Sequence, residues 1–197
     1  MTRGTARLLV VAAALALLSG AAAAQERPRS GWWLDAGVGY GRLRLRCTSC
    51  TDVGTEHGGT LTATLGRSLS QRAVMGVEAQ LWSSWESGPH EQVRSLTVVA
   101  QWYPFLHEHF FIRGGTGIVQ GPVVHSVTGT GAASVKGTGV GLTLGLGYDV
   151  PLDRHTVIAV QFASHICALG DLDMGGGVVM EDAIAYVTRF AIALVLR

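Results

Sequence analysis

Large apolar side chains alternate with small or polar ones over most of the chain after residue 30. Along Val135–Val150 (VKGTGVGLTLGLGYDV), Val140, Leu142, Leu144, Leu146 and Tyr148 share one face. Gly137, Gly139, Gly141, Thr143, Gly145 and Gly147 share the other. A period of two marks a strand, whose successive side chains point to opposite sides. Glycine weakens an ordinary strand interior. It is tolerated where strands coil tightly around a narrow lumen, as small closed barrels require. The apolar row must then face outward, toward lipid.

Seven further segments repeat the pattern. Gly31–Leu45 places Trp32, Leu34, Ala36, Val38 and Tyr40 opposite Trp33, Asp35, Gly37, Gly39 and Gly41. Thr60–Gly66 sets Leu61, Ala63 and Leu65 against threonines. Ala73–Trp82 sets Met75, Val77 and Leu81 against Val74, Gly76, Glu78 and Gln80. Val93–Tyr103, Phe110–Val119, Thr156–His165 and Ala183–Arg197 complete the set. The connections run long, short, long, short, long, short, long. The expected long loops are Arg42–Gly59, Ser83–Gln92, Gln120–Ser134 and Ala168–Asp182; the expected short turns are Arg67–Arg72, Tyr103–His109 and Asp149–His155. Eight strands with short turns at one end and long loops at the other predict an all-β, eight-stranded antiparallel up-and-down transmembrane barrel. Aromatic residues near the strand ends (Trp32, Trp33, Trp82, Trp85, Trp102, Tyr103, Phe105, Phe110, Phe111, Tyr148) are expected to form interfacial girdles.

The chain resembles the small eight-stranded outer-membrane β-barrels, the OmpA/OmpX/OmpW-like proteins. The segments that carry the resemblance are WYPFLHEHFFIRGGTGI (Trp102–Ile118), GVGLTLGLGYDVPLDRHTVIAVQF (Gly139–Phe162) and YVTRFAIALVLR (Tyr186–Arg197). It implies the outer membrane of a Gram-negative-type bacterium, outer-membrane lipids and the outer-membrane assembly machinery as partners, and a monomer as the default state. Members of that family usually end in an aromatic residue; this sequence ends Val195-Leu196-Arg197.

Composition narrows the reading. Charged residues are 15% of the chain and glycine 27 of its 197 residues. Soluble domains carry roughly 25% charged residues and about 7% glycine. The first 24 residues have a basic start (Arg3, Arg7), the apolar run Leu8–Leu18 and small residues at Ala22–Ala24, which predicts a cleaved signal peptide over 1–24. Residues 25–30 form a short leader and 31–197 the barrel. Without the first 24 residues, 13 basic face 14 acidic side chains, a formal charge of −1. That balance argues against nucleic acid, whose phosphates call for a basic excess.

Asp35, Glu78, Arg113 and Arg189 fall on inward faces, with Gln80, Gln101, Gln161 and His165. On the lipid face an Arg at mid-bilayer depth costs roughly 2–4 kcal/mol. Two acids and two arginines inside the lumen can satisfy one another, so a structural charge network is expected there. Cys47 and Cys50 (CTSC) lie in the first long loop, and an oxidising compartment makes a local disulfide the expectation. Cys167 is expected to be free and core-like. His107-Glu108-His109 and Asp171-Leu172-Asp173 are too few donors to make a metal site. The adjacent Ser–His pairs, Ser164-His165 and His125-Ser126, do not match the deacylase type of motif. No catalytic residue, cofactor or metal is therefore expected. The expected function is structural or surface-interacting, with a narrow solute channel or a soluble lipocalin-like barrel as alternatives. No specific ligand is legible.

Overall fold

The computed structural model describes residues 31–46, 55–85, 91–105, 109–121, 124–128, 131–135, 137–173 and 178–197. Residues 124–128, 131–135, 171–173 and 178–181 are described by their backbone alone. The predicted signal peptide, Cys47 and Cys50, and His107-Glu108 lie outside the described residues.

Ten strands are present among the described residues: β1 (Trp32–Arg46), β2 (Thr55–Ser68), β3 (Ala73–Ser84), β4 (Gln92–Trp102), β5 (Phe110–Gln120), β6 (Val124–Thr128), β7 (Gly131–Val135), β8 (Thr138–Pro151), β9 (Thr156–Asp173) and β10 (Val178–Leu196). Eight close a barrel in the order β1-β10-β9-β8-β5-β4-β3-β2, every pair antiparallel. Closure removes the open edges a sheet would otherwise present. The remaining two strands, β6 and β7, form a hairpin that lies between β5 and β8 in the chain.

Three connections differ from the sequence expectation. The stretch Arg42–Gly59 is mostly strand, because β1 continues to Arg46 and β2 starts at Thr55. The charges of RLRLR read as loop, yet their alternation with leucine is a strand's period. Leu43 and Leu45 are buried in the lumen while Arg42, Arg44 and Arg46 point outward. Likewise, of the stretch Ala168–Asp182, the described residues continue β9 to Asp173 and begin β10 at Val178, with Leu169 buried. Register shifts between Val178 and Ile184 accommodate extra residues there, and Asp182 takes a left-handed φ of 53°, a conformation Asp tolerates better than most residues. The third region, Gln120–Ser134, holds the β6–β7 hairpin.

The outward rows match the predicted alternation. Exposed Trp32, Leu34, Val38 and Tyr40 on β1 continue round the barrel through Phe190, Ile192 and Leu194 on β10 and Leu142, Leu144 and Leu146 on β8. Among the described residues, the charged side chains on the outer wall, such as Arg67 on β2 and Arg94 on β4, stand at strand ends. An apolar exterior inverts what a soluble lipocalin-like barrel needs, so that alternative does not describe this molecule. The aromatic girdle is half what the sequence suggested. Trp32, Trp85, Trp102, Phe105 and Tyr148 are exposed, but Trp33, Trp82, Tyr103 and Phe111 are buried inside. In each of Trp32-Trp33, Trp102-Tyr103 and Phe110-Phe111 the period of two sends the second residue into the lumen.

Candidate functional site in the lumen

The lumen is filled in three layers. At the end bearing the short turns, Trp33, Val74, Tyr103, Phe111, Val157, Ala159, Ala193 and Val195 form an apolar cluster. At the opposite end a second cluster contains Leu43, Leu45, Trp82, Val93, Val119, Cys167, Leu169 and Val187. Between them lies a polar girdle.

Glu78 on β3 is the hub of that girdle. Its Oε2 accepts from Arg113 Nη2 at 2.6 Å and from Arg189 Nη2 at 2.9 Å, and its Oε1 accepts from Arg189 Nη2 at 3.1 Å. Arg189 Nη1 donates to Gln80 Oε1 at 2.9 Å. Arg113 also donates to Thr64 Oγ1 at 3.1 Å and to Gln161 Oε1 at 3.3 Å. Gln161 Nε2 in turn donates to Asp35 Oδ2 at 2.8 Å, and Arg113 Nη1 stands 3.9 Å from that same oxygen. All four charged residues are fully buried, and their formal charges cancel. Asp35 Oδ1 and the Nε atoms of both arginines have no hydrogen-bond partner among the described residues. Removing any further partner adds to an existing desolvation cost.

Glycines adjoin this girdle. Arg189 is flanked across the sheet by Gly41 and Ala163, and Arg113 by Gly145 and Gln101. Three of these four neighbours, Gly41, Ala163 and Gly145, are small. Glycine also receives the large apolar groups. A Cβ at Gly41 would meet Trp82 Cδ1 at 2.7 Å, and one at Gly66 would meet Trp33 Cε3 at 2.7 Å. The aromatic fillers therefore occupy the space that side chains on those strands would need.

Beside the girdle, His165 Nδ1 and Thr143 Oγ1 are 2.9 Å apart. At the short-turn end, Tyr103 donates to Asp149 Oδ2 at 2.9 Å, and Arg197 Nη2 pairs with the same carboxylate while donating to the Tyr103 hydroxyl at 3.1 Å. This latch joins the lumen floor to the end of β10. It was not anticipated from the sequence, which offers no signal that residues so far apart converge on one turn.

The arrangement is built for filling and bracing. Ser164 lies on the outer wall and His165 in the lumen, so that adjacent pair does not assemble into a nucleophile and base. The described residues contain no cluster of metal-ligating side chains. Cys167 is free and buried.

Comparison with solved structures identifies the architecture. The Neisserial surface protein A (NspA) superposes with a TM-score of 0.55 at 9% identity, covering 85% of this chain and 97% of its own. Ail, the attachment invasion locus protein of Yersinia pestis, gives 0.53 at 13% identity, covering 83% and 98%. The outer membrane protein AlkL gives 0.51 at 9% identity, covering 88% and 93%. The fold is that of the small eight-stranded outer-membrane β-barrels. No protein-family profile matches the sequence, and no curated protein matches it. What the outer-membrane barrels have in common with this chain is thus backbone architecture, and its lumen chemistry has to be read from its own residues.

Proposed function

We propose that this chain is a sealed outer-membrane barrel of a Gram-negative-type bacterium, monomeric, whose work is done by its outer end and not by its lumen. The observation that carries this reading is the three-layer lumen, in which Trp82, Leu43 and Val119 fill one end, Trp33, Tyr103 and Phe111 fill the other, and the ion-paired girdle lies between. An interior of eight strands is just wide enough for side chains to fill, and here they do. The short turns and the chain ends then face the periplasm, as even-stranded barrels arrange them. Beyond the barrel rim the β9–β10 ribbon continues past its pairing with β8, which ends at Ala168, and past its pairing with β1, which ends at Ile184. The β6–β7 hairpin stands at the same end. Those ribbons and the long loops are the surface available for contact with envelope components or the surroundings. Assembly machinery and outer-membrane lipids are the partners this reading entails. No catalytic role is part of it.

The test is conductance of the purified, heat-modifiable barrel in planar bilayers. The sealed reading expects no discrete openings over a wide voltage range. Reproducible openings of fixed size would favour the narrow-channel alternative.

A further inference from the structure

We draw no further inference here: the strongest candidate, the shallow groove that Leu61, Ala63, Ala79, Leu81, Leu96 and Ile118 line on the outer wall of β2–β5, is an apolar surface for which nothing in the structure shows what covers it.

Discussion

The charged girdle and the apolar layer above it occupy the same lumen but use glycine in different ways. In the girdle, Gly145 is the cross-strand neighbour of Arg113 and places no side chain beside it on the lumen face, while the guanidinium reaches Glu78. In the apolar layer, Gly41 and Gly58 lie directly under the Trp82 indole, and Gly141 under Val119. There the glycine is a socket and the large residue its plug. The difference teaches that the high glycine content of this chain is the complement of a few bulky residues and does not signal looseness. It also separates two kinds of fragility: the girdle depends on charge balance, the apolar layer on volume.

The largest effect is expected from Glu78→Gln. It leaves two buried arginines facing one another, and breaking a buried pair in this way costs about 3–5 kcal/mol. Urea unfolding of the barrel refolded in lipid vesicles measures it; a loss below 1 kcal/mol would mean the girdle is solvated. Next comes Gly41→Val. Overfilling the socket beneath Trp82 is expected to cost about 1–3 kcal/mol, and combining it with Trp82→Ala should recover part of that loss. Additive losses in the double-mutant cycle would show that the two residues do not share a volume.

Arg197→Ala tests the latch. It removes a charged hydrogen-bond partner from buried Asp149, which keeps only Tyr103, and a loss of about 1.5 kcal/mol is expected. The smallest effect lies in the exposed turn between β8 and β9. Asp153 accepts from the backbone N–H groups of His155 at 2.7 Å and Thr156 at 2.8 Å, and the first of these is the main reason its carboxyl titrates below the usual aspartate range. Its contribution is present above the unfolded-state value near 3.9 and is lost as pH falls through the lower folded value. Amide exchange at His155 and Thr156 should accelerate only below that range.

Much of the fold was legible because lipid and lumen impose opposite demands on alternate residues. One period therefore marks both the strands and their faces, and it placed Asp35, Glu78, Arg113 and Arg189 inside. Which of them meet was not legible. Partners such as Asp35 and Gln161 are far apart in sequence and are brought together by the stagger of strands around the closed barrel. The strand ends beyond the apolar belt are hidden in the sequence for a different reason. There the outward row lies past the apolar belt, so Arg42, Arg44 and Arg46 replace apolar residues and the alternation reads as a polar loop. Trp33, Trp82, Tyr103 and Phe111 lie near strand ends, where girdle aromatics gather, but their parity turns them into the lumen.

Cys167 is a native reporter of whether the lumen is sealed. Its thiol lies in the upper apolar layer, 1% exposed, with Gly141 on the adjoining strand. In a Cys47→Ser/Cys50→Ser background it is the only cysteine left, and small methanethiosulfonate reagents can be followed by mass spectrometry on the folded barrel. A sealed lumen predicts modification no faster than global unfolding. Rapid labelling, with heat-modifiable mobility retained, would contradict it and point to an open path.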